Sequence, residues 1–366
     1  MPQAQRDPAQ ESAKDVAETG TLERREFPGF QPRRFLRNGH LQTILGNYLP
    51  RRFDHLKSRL PPAGAQLVEV APAANGQIAT QVLCHCHFQP AEVRASRPTA
   101  IIVHGLEGSS DSQYVVGNAN KLWDAGANII RMNMRNCGGT DSLTPTLYHS
   151  GLSGDVGAVL RFFIAQQRLE SVALIGYSMG GNLVLKLAGE LGDDAPAELK
   201  SVLAVSPALD LGPSADALHE PLNRLYEMKF LNALLRRYRH KAELFPRIYD
   251  AARARGIYSL REFDDRITAP YSGFTSASDY YDRAAAAHVV DRIAVPTLIL
   301  HAVDDPFIRL TAQSRARILA NPRITFLETS GGGHCAFLAD QDLTLGDDGY
   351  WAESMLLRFL LEHARA

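Results

Sequence analysis

Ser171-Val172-Ala173-Leu174-Ile175 is an apolar run that breaks into Gly176-Tyr177-Ser178-Met179-Gly180-Gly181 and resumes as the helical run Asn182 to Leu191. A serine at so sharp a strand-to-helix turn is pushed into a strained backbone conformation, and the flanking glycines leave room for the turn and for close packing. Its hydroxyl then projects at the carboxyl end of a sheet, near a helix N-terminus that favours developing negative charge. Gly-x-Ser-x-Gly by itself is a weak match, since both residue types are common in ordinary turns. Its place directly between a strand and a helix gives it weight.

Outward from this turn the chain alternates short β-rich runs with helical segments. The runs are QLVEV, TQVLCHCHF, TAIIVHG, NIIRMNM, SVALIGYS, SVLAVSP, PTLILHAVD and RITFLET. Such alternation predicts an α/β fold with a mostly parallel eight-stranded sheet flanked by helices. The first two runs precede any helical segment, which predicts an antiparallel start. No strand signal appears between Pro207 and Val289, whereas Leu222, Leu225, Met228, Leu231, Leu234, Leu235 and Tyr238 recur at helical spacing. Residues 207–289 are therefore expected to form a helical cap inserted into one domain spanning 29–366. Residues 1–28 are polar and charged, too poor in large apolar side chains to offset the entropy of ordering, and read as a flexible tail.

A serine hydroxyl is a poor nucleophile at neutral pH and needs a base, itself oriented by a carboxylate. Both partners are expected downstream, the acid after a late strand and the histidine in a loop before the last helix. His334, on the glycine-rich loop Ser330-Gly331-Gly332-Gly333-His334-Cys335 after RITFLET, meets that demand. Asp304 and Asp305 both end the strand TLILHAV, and only one can face the histidine. Counting small-x-x-Asp from Ala302 lands on Asp305 and leaves Asp304 for turn capping or solvent. Asp210, after the sixth strand, is a more distant candidate.

Charge on a tetrahedral oxyanion calls for preorganised N–H donors. Met179, just after the serine, supplies one, and Leu106 in His104-Gly105-Leu106-Glu107-Gly108 supplies the other. His104 itself reads as a structural histidine at a strand end. The basic run Arg236-Arg237-Tyr238-Arg239-His240-Lys241 reads as a solvated helix face, with lipid-phosphate binding as the sharper alternative. Cys84 and Cys86 lie two apart on one strand and read as packed thiols, not as a metal or redox site.

Composition narrows the classes. Lys plus Arg (39) nearly cancels Asp plus Glu (40), a net charge of −1 that offers nucleic acid no attractive field. The four cysteines make neither a disulfide framework nor a zinc-ligand spacing, so no metal is expected and a reducing, cytoplasmic compartment fits. The first twenty residues lack the basic start and apolar run of a secretory signal. No stretch approaches the roughly 18 consecutive apolar residues of a membrane-spanning helix. Peripheral contact with a membrane or lipid stays open, as does the oligomeric state.

The chain resembles the YheT-like branch of the α/β-hydrolases, relatives of the eukaryotic α/β-hydrolase-domain lipid esterases, over about residues 30 to 360. The resemblance rests on Asn38-Gly39-His40-Leu41-Gln42-Thr43, HGLEGSS at 104–110, NMRNCGG at 133–139, Leu147-Tyr148-His149-Ser150-Gly151, GYSMGGN, GFTSASDYY at 273–281 and VDDPF at 303–307. It implies carboxylic-ester hydrolysis within lipid metabolism, with a catalytic triad on Ser178, Asp305 or its neighbour, and His334. The eukaryotic relatives carry a membrane-anchoring N-terminal helix where this tail is polar, which favours a soluble bacterial-type enzyme. Triad chemistry assigns no role to Asn38–Thr43. The expected activity is a serine esterase acting on a small acyl ester of short to medium chain without a cofactor; an acyltransferase with the same nucleophile and a non-catalytic ligand-binding homologue are the alternatives.

Overall fold

The computed structural model describes residues 29–49, 51, 60–73, 78–340 and 348–364. The expected tail, 1–28, lies outside them. Eight strands, β1 (Gly64–Ala71), β2 (Thr80–His87), β3 (Thr99–Val103), β4 (Asn128–Met132), β5 (Val172–Tyr177), β6 (Leu199–Val205), β7 (Thr297–Ala302) and β8 (Ile324–Thr329), form one sheet in the order β1-β2-β4-β3-β5-β6-β7-β8. The β1–β2 and β2–β4 pairs are antiparallel and all others parallel, matching the antiparallel start and parallel body expected from the sequence.

Every residue of β3, β4, β5 and β7 is buried, because helices cover both faces of a parallel sheet and the strands must be apolar on both. Alternate residues divide between two cores. Ile101, Val103, Leu174, Val202 and Ile299 pack on one face, and Ile102, Ile175, Leu203 and Leu300 on the other. Each such side chain contributes about 1.5–3 kcal/mol.

Helix α1 (Gly39–Leu45) precedes the sheet, while α2 (Gln113–Asp124), α3 (Ser153–Gln167) and α4 (Met179–Leu191) connect its strands. From 206 to 296 the described structure holds no strand. Its helices there include α5 (Leu211–His219), α6 (Arg224–Leu244) and α7 (Ala277–Ala284), with a π-helical turn at Asp264–Thr268. The chain closes with α8 (Ala312–Ala320), β8 and α9 (Trp351–His363). Among the described residues no helix is long and apolar enough to cross a membrane.

Candidate active site

Ser178 joins β5 to α4 at φ 54° and ψ −115°, a conformation L-residues rarely adopt. Its backbone is pinned on both sides: the N–H donates to Val205 O (2.9 Å), and the carbonyl accepts from Asn182 N (3.1 Å) and Ala208 N (3.2 Å). Gly180 passes so close to the end of β3 that a methyl group there would collide with the carbonyl oxygens of Val103 and His104. The turn thus needs its glycine for space.

His334 meets Asp305 and not Asp304. His334 Nδ1 lies 2.8 Å from Asp305 Oδ2, and the other carboxylate oxygen accepts the amides of Phe307 (3.1 Å) and Ile308 (2.9 Å). Burial opposes the Asp305 charge, but His334 and these amides together hold its pKa below the ordinary carboxylate value. Burial likewise opposes the imidazolium. The Cys335 thiol, its sulfur 3.6 Å from His334 Nε2, and the Asp305 carboxylate overcome that and raise the histidine pKa to about 10. Asp304 instead accepts the Gly333 amide at 2.9 Å, so it fastens the loop that carries the histidine. Asp210 instead braces the start of α8, accepting the Thr311 amide and the hydroxyls of Thr311 and Ser314, while Thr311 itself caps the helix.

The histidine loop reaches the serine's surroundings through Cys335, whose N–H donates to Ser206 Oγ (3.1 Å), next to the Val205 carbonyl that holds Ser178. Among the described residues the Ser178 hydroxyl makes no hydrogen bond, and such contacts often tighten only around bound substrate.

The loop after β3 carries four successive amides. Gly105 N donates to Tyr114 Oη (2.8 Å), Glu107 N to Tyr148 Oη (3.3 Å) and Gly108 N to Gly105 O (3.1 Å). Among the described residues the Leu106 N–H has no such partner. The Met179 N–H, in the first turn of α4, has no intrahelical acceptor either. His104 is fully buried, its Nδ1 2.8 Å from Gly105 O and its Nε2 accepting Met134 N (3.1 Å), and burial drives its pKa down to about 4.

Ser178, Met179 and Leu106 line one cleft with apolar residues such as Phe230, Leu234 and Phe307, about 970 Å³ of empty space counting the part open to solvent. Phe307 also packs on the His334 ring, centroids 4.4 Å apart. Of the apolar α6 residues, Phe230 and Leu234 line the cavity, Leu231 is buried away from it, and Leu225 is 80% exposed. The π-helical turn adds a polar end that sequence reading missed. Asp264 accepts the hydroxyls of Thr268 (2.6 Å) and Tyr281 (2.7 Å), and burial raises its pKa to about 6.

The basic run on α6 is not simply a solvated face. Arg236, Arg239 and His240 are exposed, but Arg237 grips Glu107 through Nε (2.9 Å) and Nη2 (3.2 Å), and Lys241 is fully buried. Lys241 Nζ donates to Asn136 Oδ1 and Asp141 O, both at 2.6 Å, and to Thr144 O; burial lowers its pKa to about 8. Other motif residues also turn out to be struts. Asn182 ties α4 to Ser150 O and Ala284 O (2.9 Å each), Tyr280 bonds Ser150 (3.0 Å), and Arg135 forms a buried two-point pair with Asp155 (2.6 Å each). Cys84, Cys86, Cys137 and Cys335 are free thiols.

A family model for the alpha/beta hydrolase fold matches residues 98–341. The chain is 30% identical to YheT, an esterase candidate of Escherichia coli (strain K12), over 96% of this chain and 99% of that one. It is 26% identical to the monoacylglycerol lipase of Saccharomyces cerevisiae (strain ATCC 204508 / S288c), covering 88% of this chain and 78% of the lipase. With phospholipase ABHD3 of Homo sapiens the identity is 28% over 67% of this chain, which spans 59% of the phospholipase. Among solved structures, esterase Pf2001 of Pyrococcus furiosus superposes with TM-score 0.51 at 12% identity, covering 82% of this chain and 93% of the esterase. The 2,6-dihydroxy-pseudo-oxynicotine hydrolase superposes with TM-score 0.53 at 16% identity, covering 89% and 72%. These two likenesses concern the fold.

Proposed function

Since the chain belongs to the α/β-hydrolase family and to its esterase and lipase type, we propose that it hydrolyses carboxylic esters through an acyl-serine intermediate on Ser178. The observation that carries the reading is the Asp305–His334 bond, made by Nδ1 so that Nε2 is the nitrogen left to take a proton. In this mechanism Ser178 Oγ attacks the ester carbonyl while His334 Nε2 removes its proton, and Asp305 stabilises the imidazolium that forms. The Leu106 and Met179 amides receive the oxyanion, and the start of α4 favours its charge. His334 then protonates the departing alcohol and activates the water that releases the acid. No cofactor takes part.

The substrate is a short- to medium-chain acyl ester whose chain lies against Phe230, Leu234 and Phe307. The free thiols agree with a reducing, cytoplasmic setting. Peripheral lipid contact has a surface in its favour. Exposed Phe35, Leu41, Ile44 and Tyr48 on and around α1 face outward with Arg34 and Arg37, and Leu222, Leu225 and Met228 stand exposed across the His40–Tyr226 stack. Co-sedimentation with phosphatidylglycerol vesicles that Leu225→Asp left unchanged would discount it.

The central test is fluorophosphonate labelling combined with p-nitrophenyl ester turnover. Ser178→Ala should abolish labelling, and Ser178→Ala, His334→Ala and the double variant should all fall to near background, since nucleophile and base act as one unit. Either single variant keeping more than about a tenth of wild-type turnover, a barrier loss of only ~1.4 kcal/mol, would refute the assignment.

A further inference from the structure

Asn38–Thr43 has no part in the proposed chemistry, and none of its residues lines the cavity. The segment is nonetheless fixed in detail. Asn38 Oδ1 caps α1 by accepting the amides of His40 (3.0 Å) and Leu41 (3.2 Å), which turns Gly39, Gln42 and Thr43 inward. Gln42 is wholly buried and spends its amide on main chain: Nε2 donates to Leu36 O (2.7 Å) and Leu338 O (3.0 Å), and Oε1 accepts Leu338 N (2.7 Å). Thr43 Oγ1 donates to Gly39 O (2.7 Å) and accepts the main-chain N–H of His334 (2.8 Å).

Steric contacts reinforce these bonds. Gly333, at φ 59°, rests on Gly39 O, Gln42 and Thr43 so closely that no side chain could be added. A methyl group at Gly39 would run into the Asp304 carbonyl. The inner face of α1 is therefore wedged between the Asp304–Asp305 turn and the His334 loop. At its outer end His40 stacks on Tyr226, which packs on Phe307 and so on the His334 ring.

We propose that Thr43 is a positioning residue for His334, its hydroxyl receiving the His334 amide and fixing the main chain from which the imidazole reaches Ser178, with Gln42 holding the far side of the same loop at Leu338. The inference rests on the reading of His334 as the base. A buried N–H requires an acceptor, so a loop deprived of Thr43 Oγ1 turns that amide elsewhere and moves the ring with it. Displacement of a base by a fraction of an ångström reduces the rate of proton transfer while leaving a remote acyl pocket intact.

The experiment compares Thr43→Val, which keeps the shape and loses the hydroxyl, with Thr43→Ser, which keeps the hydroxyl, beside His334→Ala. Readouts are kcat and KM for p-nitrophenyl butyrate, the rate of fluorophosphonate labelling, and the acid limb of the pH profile. Thr43→Val should lower kcat and the labelling rate 10- to 100-fold, leave KM within twofold and shift the limb, whereas Thr43→Ser stays within threefold of wild type. If Thr43→Val does not fold, Thr43→Cys replaces it, a poorer acceptor at the same point, and should show the same split. Full activity of the hydroxyl-free variant while His334→Ala is inactive overturns the inference alone. Equal losses from Val and Ser also overturn it. Activity surviving in His334→Ala removes the inference together with the base assignment.

Discussion

Arg237 of α6 clasps Glu107, the residue after Leu106, through two nitrogens, while Tyr148 Oη donates to the same carboxylate at 2.5 Å. A residue of the strand-free 206–296 segment is thereby joined to the loop that carries Leu106, the proposed oxyanion donor. With side-chain exposures of 18% and 12%, the pair is too enclosed to be an ordinary surface bridge. Arg237→Gln should cost roughly 1–3 kcal/mol, less than a fully buried pair because some solvent reaches it. It should also lower kcat for p-nitrophenyl acetate about tenfold, ~1.4 kcal/mol in the barrier. Urea unfolding and turnover check both, and an unchanged kcat would disconnect the clasp from the oxyanion loop.

Asp305→Asn should cost far more activity than Asp304→Asn, since Asp305 bonds the imidazole and Asp304 bonds only the Gly333 amide. The expected loss for Asp305→Asn is on the order of 10³- to 10⁴-fold in kcat, the consequence of a wrongly set tautomer. Asp304→Asn keeps an acceptor for Gly333 and should stay within about tenfold. Steady-state kinetics on variants with matched circular dichroism decide it.

The histidine pKa is raised, and in the proposed mechanism its neutral form is the base, so activity should be lost as pH falls through that raised value. The acid limb of kcat/KM should therefore lie above the usual imidazole value of about 6.5. Cys335 is one of the groups that raise it, so Cys335→Ala should move the limb to lower pH without abolishing turnover. A pH profile identical in the two proteins would contradict this coupling.

Acyl-chain preference should be set by Phe230 and Leu234, which line the cavity, and not by Leu225 or Leu231. Each buried methylene contributes about 0.8 kcal/mol, so kcat/KM should climb over the first carbons and then level off. Leu234→Trp should move that plateau to shorter chains with acetate hydrolysis nearly unchanged, and Leu225→Trp should not. A series of p-nitrophenyl esters from acetate to decanoate gives the readout.

The inner strands were legible because strands buried on both faces must be largely apolar, as β3, β5 and β7 are, whereas β1 and β8, exposed or half-buried along much of their length, stood out only as short alternating runs. Ser178, His334 and the aspartate pair could be picked out as candidates because each sits at a turn whose chemistry is local. The α6 residues were harder to assign. Leu225 and Leu234 are nine residues apart, two and a half helical turns, and so face opposite sides although each step of three looks regular. The run of cations from Arg236 to Lys241 must likewise point around the helix. Which of them turn inward depends on Glu107 and Asn136, far away in the chain. The same holds for Thr43 and His334, 291 positions apart. No local pattern encodes a bond of that span.

The antiparallel pair β1–β2 lies on the flank of β4, and both strands precede residue 98, where the family match begins. A gene fragment cut to 98–341 would strip that cover, along with α1 and α9. Asn128 to Met132 would then present an unpaired row of amides and carbonyls between apolar side chains, a template for cross-strand association with neighbouring molecules. Expression trials on such a fragment should yield aggregate where the longer chain stays dispersed, so the workable truncation limit lies upstream of Gly64 and, to retain the support behind His334, upstream of Asn38.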